Sequence, residues 1–261
     1  MDKSFQGPVI YIRHAESLYN HICTEKDLKG ESHYNDKFGI ELVDCSISNE
    51  GLNQIKSLVP KLQEIKARYI FTSPLNRSIQ TLYHSLKDHP LFHQMIIFVH
   101  PLLSEKICSS CDLSERIENK IKKFDYLKLD FGFFDKLYNK ETRDYYFTDF
   151  FFNFNKGDIL PENYEENMTN IINLMKKNFD TKKESEDLNT LYRRSTKFKE
   201  FLKEFLLEKG LEEDEKVLVF THSTLIQMST SEMVYTISDI QKMPQDAYFP
   251  SNCEGLTIKI K

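Results

Sequence analysis

Arg13 and His14 stand side by side in VIYIRHAES, residues 9–17, at the end of a short apolar run, in a chain with only seven Arg and eight His. An arginine there offers a permanently charged planar fork that fits phosphate or carboxylate. A histidine can act near neutral pH as a neutral nucleophile or as a proton donor. A second fork, Arg77, lies in TSPLNRSIQT (72–81), and a second histidine, His222, in THST (221–224). Two Arg and two His around one pocket would hold a tetrahedral dianion. A neutral His in that field can attack phosphorus while the forks and the other His stabilise charge on the equatorial oxygens. The departing alkoxide needs a proton. Glu105, in PLLSEK (101–106), is the candidate donor, because a carboxyl beside a dianion has a raised pKa.

These residues converge only if the elements before them end at one place. Buried strands are predicted at 8–12, 69–73, 95–99 and 216–222 from short β-branched and aromatic runs, with a final edge strand at 256–260. A turn into a helix is read at 14–22 and a long polar loop at 23–44. Leu52, Ile55, Leu58, Val59 and Leu62 recur at helical spacing behind a candidate N-cap, Ser48. Ser73 and Pro74 read as the cap and first residue of the helix that carries Arg77, and further helices are read at about 165–178, at 186–208 and after His222. Strands alternating with helices imply an α/β fold: a three-layer, doubly wound, mostly parallel sheet with helices on both faces. Ligands in such folds bind beyond the C-terminal ends of the strands, where Arg13, Arg77, Glu105 and His222 all fall. Thirteen of the 33 aromatic residues crowd between Phe124 and Phe154, so 114–165 reads as an inserted helical, aromatic subdomain or lid within one 1–261 domain.

Composition narrows the partners. The chain has 261 residues, 40% of them apolar and 29% charged, with a net charge of −5, and no Lys/Arg-rich block suggests nucleic acid. No run approaches the length of a membrane span, and five Cys in a chain this long do not suggest a disulfide framework, so a cytoplasmic setting is expected. CSSC (108–111) has C-x-x-C spacing but no second pair, so neither a metal nor a redox site is expected there. Asp112 is a rival to Glu105 as the acid, and Arg193 and Arg194 read as surface residues of a helix.

In order, RHAESLYN, DCSISNEG, TSPLNRSIQT, LLSEK and THSTLI resemble the motifs of the histidine phosphatase superfamily, the phosphoglycerate-mutase-like group, over roughly residues 8–112 and 185–235. The resemblance implies a phosphohistidine intermediate, no metal or other cofactor, and a small phosphate ester as substrate. It implies His14 as the phosphorylated nucleophile, Arg13, Arg77 and His222 as phosphoryl ligands, Asn20 as a further phosphate contact, and Glu105 as proton donor. The chain departs from the pattern in three ways, the mildest being Ala15 in place of a common Gly. Ser223 follows the second His where Gly is common, keeping its N–H toward the phosphate but adding bulk. KICSSCD (106–112) replaces the Arg- and Tyr-rich segment of the true mutases, which favours hydrolysis. A mutase-type isomerase and a low-activity phosphate-binding member are the alternatives.

Overall fold

A computed structural model describes residues 8–139, 142–151, 163–230 and 248–258. Five strands form one mixed sheet: β1 (Val9–Arg13), β2 (Ala67–Thr72), β3 (Ile96–Val99), β4 (Lys216–Thr221) and β5 (Gly255–Ile258), in the order β3-β2-β4-β1-β5. The first four are mutually parallel and β5 pairs antiparallel with β1 as an edge, as the sequence predicts. Residues 259 and 260 of the expected last strand, and 231–234 beyond the helix after His222, lie outside the described residues.

Alternation along each strand builds two cores. Val9, Tyr11, Phe71, Val217 and Val219 face α8 (Leu188–Lys209), packing on Leu191, Phe198, Leu202 and Phe205. Ile10, Ile12, Ile70, Leu218 and Phe220 face the opposite way, onto Ile55, Leu58 and Leu62 of α3 (Asn49–Gln63) and Leu82 and Leu86 of α4 (Asn76–Leu86). Helices therefore cover both faces, and the expected three layers are present. A third cluster joins Phe131, Phe134, Tyr145, Tyr146, Phe147 and Phe150 to Met168, Ile171, Ile172 and Met175 of α7 (Tyr164–Asp180). Phe131, Phe134 and the aromatic residues of 145–151 thus make a packed core around short helices, among them α5 (Ile117–Lys123) and α6 (Gly132–Leu137), while Phe124 packs with Ile79 and Leu127, Phe133 joins the α8-side core and Tyr126 is exposed.

Three expectations are corrected. The stretch read as a loop from 23 holds most of α1 (Leu18–Lys29), closed by a Ser17/Asn20 capping box and ended by Gly30 at φ 69°, and then α2 (Tyr34–Lys37). No residue of α1 is buried, so no apolar stripe announces it. Second, α4 begins at Asn76, not at Pro74, and Ser73 is not its cap. Its first N–H is satisfied from a distance: Asp44 Oδ1 accepts from Asn76 N (2.7 Å), while the Asn76 side-chain Nδ2 donates back to Asp44 O (2.8 Å). Lys120, fully buried, pairs with the other Asp44 oxygen and reaches Asn76 Oδ1 at 3.3 Å, which compensates the buried carboxylate. Third, Arg77 is therefore the second residue of its helix, not the fourth.

Ser48 is the N-cap expected of α3, accepting from Gly51 N at 2.9 Å. The cap abuts the turn after β1, because Ser48 N donates to Glu16 O at 2.8 Å. A Cβ on Gly51 would stand 2.4 Å from that same Glu16 carbonyl oxygen. Gly51→Ala must push α3 off the turn that holds His14, at a cost of about 1–3 kcal/mol. Urea unfolding should show a lower midpoint at unchanged slope, and an unchanged midpoint would refute this contact.

Candidate active site

The strand ends bring the predicted residues together. β1 delivers Arg13 and His14, and His14 N donates to Thr221 O (2.9 Å) across the sheet. β4 delivers His222, and β2 delivers Ser73, whose N–H donates to Phe220 O (2.9 Å). Thr81, one turn along α4, ties the site to that helix: its Oγ1 accepts from Ala15 N (2.9 Å) and donates to Arg77 O (2.7 Å). His14 is 3% exposed and His222 is fully buried, with ring centroids 4.9 Å apart.

The hydrogen bonds fix the state of His14. Its Nδ1 lies 2.6 Å from Ala15 O, and a carbonyl oxygen can only accept, so Nδ1 carries the hydrogen. Burial, then the Arg77 and Arg13 charges, hold its pKa well below the ordinary value. The ring is therefore neutral, with a bare lone pair on Nε2, toward which Arg77 Nε donates at 3.3 Å. His222 is held neutral in the same way, by burial first and then Arg77, and its Nε2 meets Ser73 Oγ at 2.7 Å. Its Nδ1 and Arg13 Nε are buried without a partner among the described residues, a state that costs free energy until an acceptor or donor arrives. Arg13 is otherwise held by Pro250 O (2.8 Å) and lies 5.3 Å from the Phe249 ring.

Arg77 is anchored by residues that the sequence reading weighed differently. Its Nη2 pairs with Asp112 Oδ1 (2.9 Å), both groups buried, and its Nη1 donates to Cys111 O (2.6 Å). The other Asp112 oxygen accepts from Cys108 N (3.1 Å), Ser109 N (3.0 Å) and Ser109 Oγ (2.9 Å). With one oxygen on the Arg77 guanidinium and the other taken by the turn, Asp112 aims Arg77. The C-x-x-C stretch lies in this turn, with Cys108 N bound to Asp112 and Cys111 O to Arg77. All five described cysteines are free, and among the described residues no group of three or more His, Cys, Asp or Glu could hold a metal.

Glu105 is buried, with Oε1 accepting from Lys106 N (2.8 Å) and Oε2 at 3.4 Å from both Ser223 Oγ and Thr224 N, in the first turn of α9 (Ser223–Thr230). Burial first, then the charge of Asp112, raises its pKa. Its backbone is clamped on both sides. Arg194 Nη1 donates to Ser104 O (2.5 Å) and Leu102 O (3.2 Å), and Glu186 Oε2 accepts from Ile107 N (2.9 Å). Glu186 and Arg194 are themselves joined by two bonds of 2.6 and 3.0 Å. Arg194 is thus buried rather than on the surface, while Arg193 is exposed. Its place on the Leu191–Phe198 face of α8 was readable from spacing; its partner in the preceding loop was not. Asn20 contributes differently from the rest: its Oδ1 closes the Ser17 capping box by accepting from Ser17 N (3.3 Å), and its side-chain Nδ2 donates to no described residue.

Residues 9–107 match the sequence model of the histidine phosphatase superfamily (branch 1). That span contains Arg13, His14, Arg77 and Glu105, and within it the resemblance read from the motifs is borne out. Among solved structures, the chain is similar to the ecdysone phosphate phosphatase of Bombix mori in complex with tungstate, at 12% identity over 95% of this chain and 86% of that one, with a TM-score of 0.52. It is also similar to phosphoglycerate mutase from Bacillus anthracis (16% identity, 84% and 76% covered, TM-score 0.46) and to a mycobacterial glucosyl-3-phosphoglycerate phosphatase (13% identity, 85% and 76% covered, TM-score 0.41). At 12% identity the likeness to the ecdysone phosphate phosphatase is one of fold. No curated protein matches the chain. Among the described residues no helix is long and apolar enough to cross a membrane.

The buried clamp carries a direct test. Arg194→Ala leaves the Glu186 charge buried and unpaired and should cost about 3–5 kcal/mol in urea unfolding, whereas the joint change Glu186→Leu with Arg194→Met should recover most of that loss. Equal destabilisation of both variants would show that the pair is not the source.

Proposed function

We propose that the chain is a phosphomonoesterase working through a phosphohistidine at His14. The observation that carries this reading is the placement of buried His14, with Nδ1 2.6 Å from Ala15 O and Nε2 facing Arg77 Nε at 3.3 Å. In the first step the Nε2 lone pair forms a bond to phosphorus and the ester P–O bond breaks, its electron pair leaving with the alkoxide oxygen. Glu105 gives its proton to that oxygen, which departs as the alcohol. Arg13, Arg77 and His222 hold the equatorial oxygens, and the two unpartnered buried nitrogens, Arg13 Nε and His222 Nδ1, are suited to that dianion. In the second step Glu105, now a carboxylate, takes a proton from water as the water oxygen attacks phosphorus. The P–N bond breaks, its electrons return to Nε2, and phosphate leaves. Ser223 Oγ steadies the Glu105 carboxyl, and Asn20 supplies a further amide donor to the phosphate. Every group the cycle uses is a side chain, so no cofactor enters it. A small soluble phosphate ester in the cytoplasm is the proposed substrate.

Release of phosphate from p-nitrophenyl phosphate in the presence of a metal chelator tests the reading. Wild type should turn over and His14→Ala should lose at least about a thousandfold; retention of activity by His14→Ala would overturn it. Glu105→Gln should slow alkyl phosphates about a hundredfold and aryl phosphates far less, because a nitrophenolate leaves without a proton. The sign of the pH dependence follows from the same residue. The acid must hold its proton, so alkyl-ester turnover should fall as pH rises through the raised Glu105 pKa, and Glu105→Gln should lack that limb. Equal losses on both ester classes would remove Glu105 from the role.

A further inference from the structure

Ser73 follows β2 into the site and is fully buried. The sequence marks it as a helix cap, yet α4 takes Leu75 as its N-cap. The Ser73 hydroxyl makes two other bonds. Its Oγ accepts from Leu75 N at 3.2 Å and meets His222 Nε2 at 2.7 Å. The first bond fixes the hydroxyl against the entry to the helix that carries Arg77. The second bears on the tautomer of His222.

Burial first, and then the Arg77 charge, keeps the His222 ring neutral, so one ring nitrogen carries a hydrogen and the other a lone pair. A hydroxyl has one hydrogen and two lone pairs. Leu75 N–H takes one lone pair of Ser73 Oγ, and among the described residues the hydroxyl hydrogen has one acceptor in reach, His222 Nε2. If Nε2 carried the ring's hydrogen, Ser73 Oγ would accept there too, and its own hydrogen would be buried with nothing to receive it, which is costly. With Nε2 bare, every group of the hydroxyl is paired. The ring's hydrogen then sits on Nδ1, which has no partner among the described residues. The charged groups that reach the ring are Arg77, Arg194 and Arg13, which are donors only, so an incoming anion is what completes Nδ1–H.

His14 is held by the opposite kind of partner. A carbonyl, which only accepts, holds its Nδ1 and leaves a lone pair on Nε2 facing Arg77. A hydroxyl that donates to His222 leaves an N–H instead. The two rings are 4.9 Å apart, and with an acceptor alone in place of the hydroxyl both would turn lone pairs toward a dianion. We infer that Ser73 is a positioning residue, whose hydroxyl donates to His222 Nε2 and so commits the Nδ1–H of that ring to the phosphoryl oxygens. The inference rests on the phosphomonoesterase reading for the identity of the anion. A donor aimed before the substrate arrives costs no reorganisation during the reaction.

Two-bond ¹⁵N–¹H correlation NMR on the full chain, labelled with ¹⁵N-histidine, reads this tautomer directly, with the His222 signals identified by their loss in His222→Asn. Wild-type His222 should carry its hydrogen on Nδ1, with a pyridine-like Nε2 displaced upfield by an accepted hydrogen bond, and inorganic phosphate should move the Nδ1 signal. Hydrogen on Nε2, an Nε2 without that displacement, or an Nδ1 signal unmoved by excess phosphate would overturn the inference, whether or not any Ser73 variant folds. Ser73→Ala should shift the ring toward the Nε2–H form and weaken phosphate binding about tenfold in calorimetric titration. Ser73→Thr keeps the hydroxyl and should stay close to wild type in both. An unchanged tautomer in Ser73→Ala, or losses in Ser73→Thr equal to those in Ser73→Ala, would remove Ser73 from the role. None of these readings needs turnover, so failure to hydrolyse p-nitrophenyl phosphate would sink the phosphatase reading alone.

Discussion

Everything at this site depends on holding one imidazole uncharged beside two guanidinium groups. A buried histidine prefers the neutral form because its cation loses water, and the nearby Arg charges push the same way. Neutrality alone would leave the tautomer open. The Ala15 carbonyl at 2.6 Å closes that question and turns the lone pair toward Arg77. The arginine must not wander, so a buried carboxylate and a carbonyl from one tight turn, Asp112 and Cys111, fix its fork. The acid half of the site is held by the same means, with the Glu186–Arg194 pair gripping the backbone before and after Glu105.

These anchors reach the site from well outside the strand ends. Asp44 caps the helix bearing Arg77, Lys120 compensates Asp44, and both belong to segments outside the sheet. The parallel sheet supplies the position, since four strands ending at one edge put Arg13, Ser73, Glu105 and His222 within reach of one another. Buried ion pairs supply the aim. Such pairs add little net stability against an apolar alternative, but losing one partner is costly, which suits groups whose task is to hold an orientation.

Much of this was legible in the sequence. The four parallel strands showed as short β-branched runs, and the edge strand and Ser48 cap were read where they stand. Arg13, His14, Arg77, Glu105 and His222 stood out because their types share one chemistry and each follows a predicted strand. What escaped shares a physical cause. Helix α1 buries no residue, so periodicity had nothing to report, and only the Ser17–Asn20 cap marked it. The start of α4 was misread because its cap comes from Asp44, more than thirty positions upstream, and a local rule sees only Ser73 and Pro74. Asp112 and Arg194 were visible as charges, but their roles depend on partners that only folding brings near. In the aromatic stretch after Phe124, composition announced a core without disclosing which rings face the sheet and which face α7.

The most direct test of the account is the tautomer and charge of His14, read by two-bond ¹⁵N–¹H correlation NMR on the full chain from about pH 5.5 to about pH 8. The account predicts a ring protonated on Nδ1 alone, with a pyridine-like Nε2, and no midpoint across that range. An Nε2-protonated ring, or an imidazolium titrating near 6.5, would contradict it.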